Sequence, residues 1–75
     1  MDKKEIGIRL KSKRIQLKLT IARVEELSGV KRSAISNYEN KIRIPSYETL
    51  EKLAKVYKCN PSYFLGWNNL KSKSN

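Results

Sequence analysis

Residues 19–40 read LTIARVEELSGVKRSAISNYEN, the pattern of two short helices hinged on a single glycine. Thr20 can accept a free backbone N–H at the start of the first helix, where Val24 and Leu27 are spaced to share a core-facing side. Ser28 and Gly29 close that helix. Glycine takes positive φ without a Cβ clash, so it suits a turn that sends the next segment off at a large angle. Val30 follows, where it can plug the corner.

The second segment, residues 32–40, sorts into two unlike faces at about 100° per residue. Ala34, Ile35, Tyr38 and Glu39 share one arc, expected to pack inward. Ser33, Ser36, Asn37 and Asn40 share the opposite arc, with Arg32 at the flank of the first turn. A face that only had to be soluble would favour Glu and Lys, which form helices better than Ser or Asn. Short hydrogen-bonding side chains on a helix that can lie in a groove are what direct reading of base edges requires.

The charge balance agrees. The chain has 75 residues with 17 Lys plus Arg against 7 Asp plus Glu, a net charge of +10, and no histidine. So large an excess on one small domain implies an anionic partner. A lone core of this size leaves about 4–11 kcal/mol of stability and no room for a separate cofactor domain. Cys59 is the single cysteine, so no intrachain disulfide can form, and the usual zinc spacings are absent. No cofactor, metal or small-molecule ligand is implied. With no paired carboxylates at a plausible site either, the chain does not read as an enzyme. It contains no apolar run of about 18 residues and no signal-peptide core, so a cytoplasmic protein is expected. An amphipathic membrane-surface role is disfavoured because a core accounts for the apolar residues.

The remaining segments read as scaffold. Asp2 and Glu5 resemble a capping box, and Ile6, Leu10 and Leu17 give the apolar stripe of a first helix over about residues 3–17. Lys3, Lys4, Arg9, Lys11, Lys13 and Lys18 occupy its other faces, as a solvated surface or as phosphate contacts. Arg14 lies beside the stripe instead, which calls for a partner. After the loop Lys41-Ile42-Arg43-Ile44-Pro45, Ser46 caps a fourth helix with Leu50, Leu53, Ala54 and Tyr57 on its core face. Asn60 and Pro61 start a short fifth helix carrying Tyr63, Phe64 and Leu65, which ends near Gly66. The domain is expected to span residues 1–67, with 68–75 a polar basic tail or linker. Tyr63, Phe64, Leu65 and Trp67 put much aromatic surface at this end, either to close the core or to form part of a two-fold contact.

Several short motifs now combine: Leu10-x-x-x-Arg14, Leu19-Thr20, Gly29-Val30, Ile35-Ser-x-Tyr-Glu-Asn40, Pro45-Ser46 and Leu50-x-x-Leu-Ala-Lys55. Together they resemble the phage-repressor/Cro-type helix-turn-helix family over about Ile6 to Trp67, and KSKRIQL at 11–17 is especially like the lambdoid phage repressors. The resemblance implies an all-α fold, a compact five-helix bundle whose third helix enters the major groove of double-stranded DNA, usually as a homodimer on a palindromic operator. It implies Arg32, Ser33, Ser36 and Asn37 for base reading. Thr20, Ile21, Lys31, Asn40, Lys41, Arg43 and Arg14 fall toward phosphate or the flanks. Arg14 and Glu39 match a pair that similar repressors join as a salt bridge. The implied function is a transcriptional regulator, a repressor of phage or mobile-element type; the alternative is an antitoxin-like module that neutralises a partner protein. Three positions depart from the family pattern. Ile21 replaces a glutamine and could pack on a thymine methyl instead, Glu25 replaces a small alanine between helices 2 and 3, and Lys41 replaces the glycine of E-N-G. Since lysine at positive φ costs about 1 kcal/mol, the loop after helix 3 is expected to take another path.

Overall fold

A computed structural model describes residues 3–66, with side chains from Glu5 onward. Asp2, Trp67 and the tail 68–75 lie outside the described residues, and with them the capping-box partner, the tail reading and Trp67's part in a two-fold contact. The chain forms five helices: α1 (Lys3–Gln16), α2 (Ile21–Ser28), α3 (Arg32–Glu39), α4 (Tyr47–Tyr57) and α5 (Pro61–Leu65). The described residues contain no strand and no helix long and apolar enough to cross a membrane.

Local chemistry starts most of these helices. Thr20 Oγ1 accepts from the Arg23 amide at 3.0 Å, Ser46 Oγ from the Thr49 amide at 3.1 Å, and Asn60 Oδ1 from the Ser62 amide at 3.0 Å. Pro61 occupies the first turn of α5, where its missing N–H is no loss. A left-handed residue follows each helix: Lys18 (φ 59°), Gly29 (φ 81°), Lys41 (φ 66°), Lys58 (φ 57°) and Gly66 (φ 78°). The loop after α3 therefore keeps the left-handed turn that a glycine would favour, against the expectation drawn from Lys41. Backbone bonds hold it there: the Lys41 amide donates to Tyr38 O at 3.1 Å and the Ile42 amide to Asn37 O at 2.9 Å.

The core draws on every helix, with Ile6 and Leu10 from α1, Val24 from α2, Ile35 from α3, Leu50, Leu53, Ala54 and Tyr57 from α4, and Phe64 from α5. Val30 plugs the α2–α3 corner. Each buried Val, Leu, Ile or Phe among them contributes about 1.5–3 kcal/mol over an exposed one. Two expected core residues are exposed, Leu17 and Leu27. Helix α1 stops at Gln16, so Leu17 leaves the phase of its stripe. Leu27 sits about 60° round from Val24, at the rim of α2, and lines an apolar surface groove with Leu17, Leu19 and Val56.

Helix α3 packs on both α1 and α2. Gly7 makes the first approach possible: a Cβ there would stand 2.5 Å from the Tyr38 carbonyl oxygen. Arg9, expected on a solvated or phosphate-facing side, instead donates to the Tyr63 carbonyl at 2.8 Å and pairs with Glu5 at 3.2 Å. Its guanidinium and the Lys13 ammonium lie 5.7 and 5.4 Å from the Tyr63 ring centroid. The Phe64 ring is buried edge-to-face between Tyr57 and Tyr63. Tyr63 and Phe64 thus serve the α1–α4–α5 junction, Phe64 fully buried and Tyr63 half-exposed.

Candidate nucleic-acid interface

Helix α3 divides as its phase requires. Ile35 and Glu39 are buried, and Ala34 and Tyr38 pack partly against the core. On the other side Ser33 and Asn40 are exposed and Ser36 and Asn37 half-exposed.

A carboxylate at 6 % exposure needs compensation, and Arg14 supplies it to Glu39. Arg14 Nε donates to Glu39 Oε2 at 2.7 Å and Nη2 to Oε1 at 3.0 Å, a two-point contact, while Nη1 donates to the Leu19 carbonyl at 2.9 Å. The bond to Glu39 raises the Arg14 pKa against the opposing effect of burial. One guanidinium, 14 % exposed, therefore joins α1, the turn before α2 and the inward face of α3. Arg14 turns inward, beneath the surface that carries Ser33 and Asn37.

Glu25 does not hold α2 and α3 apart. Its Oε2 accepts from the Arg32 amide at 3.2 Å and its Oε1 from Arg32 Nε at 2.8 Å. Lys31, at the N-cap of α3, makes no side-chain cap bond, so the carboxylate borrowed from α2 caps α3 in its place. These two bonds to Arg32 also pull the Glu25 carboxyl below its ordinary pKa.

The other candidates gather around the ends of α3. Ser33 and Asn37 line a surface notch of about 350 Å³ with Lys31 and Arg43. The Arg43 amide donates to the Asn37 carbonyl at 3.3 Å, which wraps the loop back against the helix. Asn40 Nδ2 donates to Ser36 Oγ at 3.2 Å, so these two side chains occupy each other in the free protein. Asn40 and Lys41 line a second hollow with Lys11, and Thr20 and Arg32 a third. Ile21 is half-buried against the core. Arg9, Arg14, Arg23 and Arg32 are each in an ion pair. Among the described residues Arg43 and the lysines are not, so the unpaired cations nearest α3 are Lys31, Lys41 and Arg43.

A family model described as Helix-turn-helix matches residues 10–64, a span that includes the whole of α2 and α3. The chain belongs to the helix-turn-helix family. It is 34 % identical over 65 residues to Repressor protein C2 of Salmonella phage P22, covering 87 % of this chain and 30 % of that protein. The chain thus spans less than a third of that relative's length. No solved structure matches significantly.

Within this helix-turn-helix, sequence reasoning missed the roles of Gly7 and Glu25. Both act across helices, Gly7 on α3 and Glu25 on the start of α3. Glu25 gave one signal, an acid seven residues before an arginine that follows an uncapped lysine. Gly7 gave only its place inside a helix, where glycine is unfavourable unless something passes close by.

Proposed function

We propose that the chain is a sequence-specific double-stranded DNA-binding regulator, a repressor of phage or mobile-element type, with α3 reading the major groove. The observation that carries this is the outward face of α3. Short hydrogen-bonding side chains, Ser33 and Asn37 foremost, stand between unpaired cations at Lys31, Lys41 and Arg43, while the opposite face is anchored by Ile35 and the Arg14–Glu39 pair. Family membership and the relative's name support it. Arg32, Ser33, Ser36 and Asn37 read bases; Thr20, Ile21, Lys31, Asn40, Lys41 and Arg43 meet phosphate or the flanks. Asn37 suits adenine, since its amide can donate to N7 and accept from N6.

One copy touching four or five base pairs discriminates too little, because each mismatch costs only about 1–3 kcal/mol against very many competing sites. Two copies on a palindrome, half-sites about one helical turn apart, would suffice. Selection of bound sites from random double-stranded DNA, followed by titration and footprinting, tests both points. The expected result is an enriched palindrome bound by two copies. Recovery of unenriched DNA would overturn the reading, and 1:1 binding to an asymmetric half-site would overturn the symmetry.

A further inference from the structure

We propose that Glu25 is a positioning residue that makes Arg32 a reader of guanine, an inference that rests on the DNA-binding reading above and deepens it. One carboxylate grips Arg32 at both ends: Oε2 holds its backbone amide at 3.2 Å and Oε1 holds Nε at 2.8 Å. The first bond fixes where α3 begins, and the second fixes the direction in which the guanidinium leaves it. Glu25 is itself held low, its side chain 31 % exposed, while that of Arg32 is 64 % exposed. The Nε edge of the guanidinium is therefore taken, and the two terminal nitrogens have no partner among the described residues. Two parallel N–H donors facing outward at the first turn of a groove-binding helix match O6 and N7 of guanine.

Charge separates this role from a phosphate contact. Attraction to phosphate depends on net positive charge and the counterions it releases. A guanidinium 2.8 Å from a carboxylate offers little of either, and the carboxylate repels the phosphate oxygens. The neutral acceptors of guanine ask only for donors in the right geometry, which the pair preserves. Lys31, Lys41 and Arg43 carry no such partner and remain the cations suited to phosphate.

The test uses the whole chain in four forms: unchanged, Glu25→Gln, Arg32→Ala and the double variant. Each is carried through selection from random DNA and a salt titration, with folding checked by circular dichroism. The unchanged protein should enrich guanine at one symmetric position that Arg32→Ala abolishes. Glu25→Gln should lower that preference about tenfold, leave the other positions intact and steepen the slope of log affinity against log salt by about 1, as Arg32 gains charge to offer phosphate. The double variant should read like Arg32→Ala. An unchanged guanine preference and salt slope in Glu25→Gln would make Glu25 a helix cap only and overturn the proposal. An enriched motif with no Arg32-dependent guanine would overturn it while leaving the DNA-binding reading standing; no enriched motif at all would end both. If Glu25→Gln fails to fold, Glu25→Asp takes its place, keeping the negative charge near the start of α3 but leaving the carboxylate one methylene short of Arg32 Nε. It must lower the guanine preference, and an unchanged preference would count against the proposal.

Discussion

Gly7 in α1 and Tyr38 in α3 meet backbone to backbone, so that a methyl group on Gly7 would stand 2.5 Å from the Tyr38 carbonyl oxygen. Alanine is the better helix former by about 1 kcal/mol, and on propensity alone Gly7→Ala should stabilise. The clash reverses that sign, because the obstructing atom belongs to the backbone of α3 and cannot swing aside. A net loss of about 1–3 kcal/mol is expected in chemical denaturation. A gain would show that α1 and α3 have room between them.

The Arg14–Glu39 pair gives the second prediction. Removing either partner leaves the other charge nearly buried and alone, so Arg14→Ala or Glu39→Ala should each cost about 3 kcal/mol or more. The double change should cost clearly less than the sum. Urea denaturation of the four proteins measures the coupling, and additive losses below about 1 kcal/mol each would count against it.

Starts of helices were legible in the sequence because capping is local: Thr20, Ser46 and Asn60 each bond an amide two or three residues on. The inward and outward faces of α3 were equally legible, since phase depends only on the helix itself. Long-range pairing was legible only in part: Arg14 beside an apolar stripe called for a partner and Glu39 lay on an inward arc, but only the family resemblance joined the two. Glu25 was less legible still. It stood out only as a departure from the family's small alanine, whereas its carboxylate answers an uncapped helix end that appears only once α2 and α3 are placed together. Leu17 and Leu27 misled because apolar spacing does not say where a helix stops or which edge of a stripe is covered.

Tyr57 supplies a pH dependence. Its hydroxyl is buried with no hydrogen-bond partner among the described residues, and burial, helped by the charge on Glu39, pushes its pKa well above the ordinary tyrosine value. A raised pKa means stability that is fully present below the unfolded value of about 10 and lost as pH rises beyond it, since the unfolded chain ionises while the folded one resists. Tyr57→Phe should be neutral or mildly stabilising at pH 7 and should flatten the loss of stability above pH 10. A loss of more than about 1 kcal/mol at pH 7 would give the hydroxyl a bonding role.

At the DNA surface, Asn37→Ala should flatten preference at one symmetric position and leave non-specific affinity nearly unchanged. Arg43→Ala should do the reverse, weakening all sequences alike and reducing the salt slope by about 1. Parallel titrations with operator and scrambled DNA separate the two. Equal loss on both DNAs for Asn37→Ala would make that residue a phosphate contact.

Lys18, Lys41 and Lys58 close α1, α3 and α4 in a conformation that glycine enters freely and lysine enters at a cost of about 1 kcal/mol. Their positive charge at the negative end of each helix offsets part of it. The domain therefore holds an untapped reserve of heat tolerance at three single positions. Lys18→Gly and Lys58→Gly should each raise the melting temperature, by up to about 4–8 °C if the full strain is relieved, at turns away from the residues proposed to meet DNA. Lys41→Gly should raise it too, but at the end of α3, where the same change removes one of the cations proposed to meet phosphate. Robustness and grip are separable at two of the turns and opposed at the third.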